Sequence, residues 1–231
     1  MEKLIAVKSN ALVEASYKLT LQEQRLLLMC IGRLNPRADV LEKNFQITAR
    51  DFYQAFPDIG LSNAERRLQE AIDRLGERWI LINWKNKKEE IRWIQRKARY
   101  FEGEGKIEIT FSDSIMPYLT QLQEQFTQIT IKNISALKRT YSIRIYELLM
   151  QFKSIGDRII DINDFRSMLG VEEKYRDFPI LNRAVIKPAI KELNEKSDLA
   201  VTVDTVKQGR KVVALHFRFT EDKQIKMAIG K

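Results

Sequence analysis

Residues 177–196 read DFPILNRAVIKPAIKELNEK, and the way this stretch sorts its side chains decides the fold. Wound at about 100° per residue, Leu181, Val185, Ile186, Ala189, Ile190 and Leu193 fill one half of the wheel. Arg183, Lys187, Lys191 and Asn194 gather in an arc of roughly 80° opposite. One face packs and the other presents cations and an amide. A solvated surface helix would sort in the same way, so the neighbours matter. Downstream come the strand LAVTV (199–203), the basic turn VKQGRK (206–211) and the alternating strand VVALHFRF (212–219), which together read as a β-hairpin beside the helix. Helix followed by a hairpin with a cationic tip is the layout of a winged helix. Pro188 stands inside the helical pattern, where it removes a hydrogen bond and clashes with the carbonyl of Ala184, so a kink is expected there.

Upstream, the same order of elements occurs once more. ARDF at 49–52 matches INDF at 162–165, and AIDRL at 71–75 matches AIKEL at 189–193; in both places a strand, a charged turn and another strand follow. The reading is two copies of one fold, a first domain over 1–121 and a second over 122–231, with no Gly-, Pro- or Ser-rich linker between them. The opening helix of the first copy starts at a Thr20/Glu23 capping box, a second helix at Thr48/Asp51 and a third at Ser62/Glu65. The third, SNAERRLQEAIDRLGER, is the counterpart of 177–196. The strands WILINW, IRWIQRKARYF and KIEITF follow, joined by KNKKEE and EGEG, with Trp93 and Phe101 giving the middle strand an edge that looks too apolar to be left bare.

Composition narrows the function. The chain has 231 residues with forty Lys and Arg against thirty-one acids, a net charge of +9 that favours a polyanionic partner. One His and one Cys cannot furnish a structural zinc set or a Ser-His-Asp arrangement. Cys30 in LLLMCIGRL reads as a core thiol, His216 as a strand residue facing outward, and Asp161 with Asp164 as a helix start. Gly103 and Gly105 sit in a hairpin turn, not a Walker loop. No catalytic group, metal or cofactor is expected, and the chain is not read as an enzyme. The opening MEKLIAVKSN carries no signal peptide, no segment approaches a membrane span, and EDKQIKMAIGK reads as a loose tail. A cytoplasmic protein without a membrane partner is expected.

Double-stranded DNA is the partner these features fit best. Phosphates take Lys and Arg, and base edges take Arg or Lys at guanine and Asn at adenine. Arg183 and Lys187 suit guanine, Asn182 or Asn194 suits adenine, Lys191 adds charge, and Lys207, Arg210 and Lys211 would lie over the flanking backbone. In the first copy Asn63, Arg66, Arg67 and Arg74 point outward but share the face with Glu70, Asp73 and Glu77. That helix is therefore assigned backbone contacts, with Lys85, Lys87 and Lys88 in the following turn as further candidates. RNA is disfavoured, since no aromatic-rich sheet motif is present.

Three runs, VKSNALVEASYKLTLQEQRLLL (7–28), LKRTYSIRIYELLMQF (137–152) and RDFPILNRAVIKPAIKELNEKSDLAVTVDTVKQGRKVVALHFRF (176–219), make the whole chain resemble the iteron-binding plasmid replication initiators, the Rep_3 family. The resemblance implies an α+β fold of two tandem winged-helix domains related by a pseudo-twofold. It implies monomers that bind direct repeats at an origin and act with a host replication initiator and helicase. It also implies homodimers, in equilibrium with monomer through the first domain, that bind an operator inverted repeat and repress their own gene. A plasmid-encoded repressor without an initiator role is the alternative.

Overall fold

The computed structural model describes residues 4–35, 42–84, 86–100, 105–120 and 125–221, and divides into two compact units, 1–135 and 136–231. Lys85, Phe101, Gly103 and the tail beyond 221 lie outside the described residues.

The first unit opens with β1 (Ile5–Ser9), α1 (Asn10–Glu14) and α2 (Leu21–Gly32), then β2 (Asn44–Thr48), α3 (Ala49–Ala55) and α4 (Leu61–Leu75). Strands β3 (Trp79–Asn83), β4 (Lys88–Arg92), β5 (Ile94–Arg99) and β6 (Lys106–Phe111) follow, and β7 (Phe126–Thr130) and α5 (Ile131–Ile134) close it. The second unit runs α6 (Thr140–Met150), β8 (Asp157–Asp161), α7 (Ile162–Met168), α8 (Phe178–Leu181), a π turn (Asn182–Ile186), α9 (Lys187–Lys196), β9 (Leu199–Gln208) and β10 (Lys211–Glu221).

The repeat seen in the sequence is carried by the sheets. In the first unit the strand before α3 pairs with the last strand of a hairpin, in the order β2-β6-β5; in the second the order is β8-β10-β9. All these pairs are antiparallel. Each unit thus holds a winged helix. The first differs by one insertion. Its long middle strand breaks at Trp93, so that β4 pairs with β3 and β5 pairs with β6. The hairpin β3–β4, with Lys87 and Lys88, is an addition, and the wing proper is β5–β6. Strand β7 pairs with β1, which ties residues 126–130 into the first unit, whereas the sequence reading started the second domain at 122.

Trp93 does not lie on a bare edge. It is fully buried and meets Tyr17 edge-on at 5.2 Å between ring centroids. A strand that changes partners turns one face inward at the break, and the largest side chain fills the space. The exposed aromatics of this region are Trp79, Trp84 and Tyr100.

Helix starts follow the residues that satisfy their free N–H groups. Thr20 with Glu23 and Thr48 with Asp51 both close capping boxes. Asp161 accepts from the backbone of Asn163 at 2.7 Å and Asp164 at 3.3 Å. Ser62 and Glu65 do not form the expected box. The helix begins two residues earlier, with Gly60 instead of Ser62 as its N-cap, because the 3-10 turn Pro57–Ile59 runs through Gly60, whose φ of 75° only glycine adopts at little cost. For Asp51, burial pushes the carboxyl up, but the Thr48 hydrogen bonds and the nearby Arg33 outweigh it and hold it below its ordinary value. That contribution to stability is fully present above the unfolded carboxylate range and is lost as pH falls from there through the lowered folded-state value.

The two copies also share a buried cation. Arg25, fifth residue of α2, is fully buried; its Nη2 lies 3.1 Å from Asp58 in the turn after α3, and its guanidinium stacks 4.7 Å from the Phe56 ring. Arg144, fifth residue of α6, is buried against Glu147 and donates at 3.0 Å to the carbonyl of Met168, the last residue of α7. In each unit an arginine of the long helix before the winged-helix strand, α2 or α6, therefore holds the end of the helix that follows that strand, α3 or α7, or the turn just after it. Cys30 is likewise sealed in, and burial pushes its thiol up to about 12. Removing one partner of a buried ion pair strands the other charge. Arg144→Met should thus destabilise the protein by about 3–5 kcal/mol, read as a fall in the denaturant midpoint of its unfolding transition.

Candidate nucleic-acid interface

The helix 178–196 sets the geometry of the site. Leu181, Val185, Ile186, Ala189 and Leu193 are buried as the wheel predicts, Ile190 is half-buried, and Arg183, Lys187, Lys191 and Asn194 are exposed. The expected disturbance at Pro188 takes a particular form. Ahead of the proline the backbone widens into the π turn, and Lys187 N–H donates to Asn182 O, five residues back. Opening the helix by one residue relieves the clash of the proline ring with the turn before it.

Glu192 locks this helix to the rest of the unit. Its buried carboxylate accepts from Lys138 N at 3.0 Å, Arg139 N at 3.1 Å and Ser142 Oγ at 2.6 Å, capping α6, which has no side-chain cap of its own. An anion at a helix N-terminus also meets the favourable end of its dipole. Sequence reasoning passed over Glu192. Its only sign was an acid on the boundary between the buried and cationic faces.

Two basic grooves flank the helix. One, of about 740 Å³, lies between the start of the helix and the wing and is lined by Arg166, Arg176, Lys207, Arg210 and Lys211, with Asp177 and Asn182. The other, of about 680 Å³, is lined by Lys138, Arg139, Lys187, Lys191 and Lys196, with Glu192 and Glu195. Arg166, Arg176, Lys138 and Arg139 were not singled out in the sequence, because they precede or lie apart from the amphipathic stretch. Arg166 spans the loop before the helix, donating to the carbonyls of Tyr175 at 3.1 Å and Arg176 at 2.8 Å. Arg183, Lys187, Lys207, Arg210 and Lys211 are exposed and form no ion pair among the described residues. Lys191 approaches Glu195 at 3.8 Å.

The wing is a tight hairpin, with Lys211 opposite Gln208 and Gly209 at φ 61°. His216 is half-buried on the outer sheet face, its Nε2 2.6 Å from Asp157 Oδ2 and its Nδ1 3.1 Å from Arg218. Arg218 in turn meets Asp204 at 2.6 Å. This ladder of side chains ties the three strands together.

Asn194 is a correction. Although exposed, its amide is committed to the backbone of Val201, donating at 2.9 Å to its carbonyl and accepting at 2.6 Å from its N–H. It fastens β9 to the helix end and has no amide edge free for adenine. Asn182 is half-buried and lines the groove beside the wing.

On α4 two of the three arginines, Arg66 and Arg67, are held in ion pairs. Glu70 takes Arg66 at 2.8 Å and Arg67 at 3.2 Å, Arg66 also reaches Asn63 at 3.3 Å, and Asp73 takes Lys97 and Arg99. Any desolvation of the Glu70 carboxyl pushes it up, but Arg66 and Arg67 outweigh this and hold it below its ordinary value. Arg74 is exposed and forms no ion pair among the described residues. The two helices that match in sequence therefore differ in how many free cations they present.

Two winged helices, one presenting the unpaired cations Arg183 and Lys187 between two basic grooves, define a DNA-binding protein of the tandem winged-helix class. The family described as Initiator Replication protein, WH1 matches residues 5–150, and Initiator Rep protein, WH2 matches residues 161–219. The chain belongs to this family of plasmid replication initiators. It is 33% identical to a replication initiation protein of Escherichia coli over 97% of this chain and 72% of that one. It is 28% identical to the PI protein of Escherichia coli, over 92% and 81% of the two chains. Among solved structures, the Pi initiator protein in complex with iteron DNA superposes with a TM-score of 0.82 at 24% identity, covering 96% of this chain and 99% of that one. Domains 2 and 3 of RctB share the fold more distantly, with a TM-score of 0.51 at 12% identity.

Replacing Asn194 with Ala should cost about 1–2 kcal/mol of stability through its two lost backbone bonds and leave the base preference of the protein unchanged. Thermal unfolding together with selection of binding sites from random duplexes checks both halves of this expectation.

Proposed function

We propose that the chain is a sequence-specific initiator that binds direct repeats at a plasmid origin, with helix 178–196 in the major groove and the wing along the flanking backbone. The observation that carries this reading is the row of unpaired cations, Arg183 and Lys187, standing between two basic grooves. A helix face of that width fits the major groove, and grooves on both sides suit the two phosphate strands that border it. Arg183 and Lys187 take guanine, Asn182 takes adenine, Lys191 adds charge, and Lys207, Arg210 and Lys211 hold phosphates. Asn63, Arg66, Arg67 and Arg74 make backbone contacts only, since three of the four are held in a cluster around Glu70. The relative solved with iteron DNA supports the same choice of ligand.

The rest of the proposal rests on family membership. Monomers bind the repeats and act with a host initiator and helicase, while dimers formed through the first domain bind an inverted repeat and repress transcription. Exposed Trp79 and Trp84 supply apolar surface for that dimer. The division of labour follows the two units, 1–135 for dimerisation and backbone contacts and 136–231 for reading sequence. The chain works in the cytoplasm without a cofactor and catalyses no reaction itself. No described helix is long and apolar enough to cross a membrane.

Neutralising about 6 to 10 phosphates makes affinity fall with salt at a log-log slope near −5 to −9. A nearly flat titration would refute DNA binding of this kind. Arg183→Ala should cost about 1–3 kcal/mol of binding and relax preference at one position. Lys207→Ala should weaken all sequences alike and reduce the slope by about one. Fluorescence anisotropy across a salt series separates the two.

A further inference from the structure

The outward stripe of helix 178–196 is not made of cations alone. In order along it, the exposed residues are Ile180, Arg183, Ala184, Lys187 and Lys191. Ile180 is 43% exposed, one of the few large apolar side chains left in solvent, and it stands in the first turn of α8. The buried side of this helix is already filled by Leu181, Val185 and Ile186, so the core gains little from Ile180. Its neighbours on the stripe are a free guanidinium and a methyl group. N-terminal residues of a helix lying in the major groove are the ones that reach base edges. The apolar feature offered there is the thymine C5-methyl group.

We propose that Ile180, with Ala184 beside it, reads a thymine methyl next to the base addressed by Arg183. This rests on the DNA-reading assignment of the same helix and adds to it the chemistry of one further base. The mixed stripe is what a site containing thymine and guanine together requires. A purely cationic face would hold phosphates equally well without discriminating a methyl. The π turn lies between Ile180 and Lys187, so the first turn is joined to the anchored half of the helix through a widened backbone with Lys187 N–H bonded to Asn182 O.

The test uses the full chain and the duplex it enriches from a random library. Each thymine of that duplex is replaced in turn by deoxyuridine, which removes the methyl and leaves the hydrogen-bonding edge intact. One or two positions should weaken wild-type binding about fourfold, the fold-change for roughly one buried carbon at about 0.8 kcal/mol. With Ile180→Ala the thymine duplex should bind about as weakly as the uracil duplex binds wild type, and the uracil substitution should then have no further effect. Ile180→Val should keep part of the discrimination. Equal binding of all variants to unrelated duplex DNA separates lost reading from lost folding, and unequal binding there counts against the proposal. If the deoxyuridine effects are absent, or persist unchanged in Ile180→Ala, Ile180 does not read the methyl and the inference fails alone. If no sequence is enriched at all, the DNA-reading assignment fails and takes the inference with it.

Discussion

A single buried carboxylate holds the cationic face of helix 178–196 in place. Glu192 belongs to the same helix as Arg183 and Lys187, yet its oxygens cap the N-terminus of α6. Because α6 packs against α9, the cap fixes the rotation of the helix about its own axis as well as its position. If the helix turned by one residue, about 100°, toward the side that exposes the carboxylate, the cations would leave the outward face and Glu192 would lose its partners on α6. Satisfied hydrogen bonds at a buried charge are costly to give up. The direction of the stripe is thus set by polar bonding as much as by the apolar face.

The two copies of the fold show how one architecture can hold different surfaces. Both use an arginine from the long helix, α2 or α6, to secure the end of α3 or α7, or the turn just after it, and both place a hairpin beside the helix that comes next. On α4 the acids at 70 and 73 draw the local cations into pairs, and nearby strand residues complete them. On 178–196 the acids are displaced: Glu192 turns inward, and Glu195 sits at the far end by Lys191. Free positive charge therefore collects toward the start of the second helix, and its first turns are the part that projects beside the wing.

Much of this was legible in the sequence. The wheel of 177–196 gave the buried and exposed faces correctly, except that Ile190 is half-buried. Matching tetrapeptides and pentapeptides located the repeat, and two of three capping boxes formed. What escaped the reading depends on contacts distant along the chain. Trp93 lies in an alternating strand, and only the change of partner from β3 to β6 buries it. Asn194 sits on the polar arc like its neighbours, and only the approach of Val201 consumes its amide. The Ser62 box lost to Gly60 because the preceding 3-10 turn had already chosen where the helix begins. Glu192 was invisible for the same reason, since its partners lie 50 to 54 residues upstream.

The π turn has a consequence for how such a protein can change. It separates a half-helix bound tightly into the core, from Lys187 onward, from a leading segment that meets the core chiefly through Leu181, Val185 and Ile186. A hinge-like register shift of this kind isolates the leading segment from the packing that follows. Side chains at 180, 183 and 184 can therefore be exchanged without repacking the domain. Under the DNA-reading assignment proposed above, substitutions at these positions would change the target sequence while the half-helix behind the bulge stays packed.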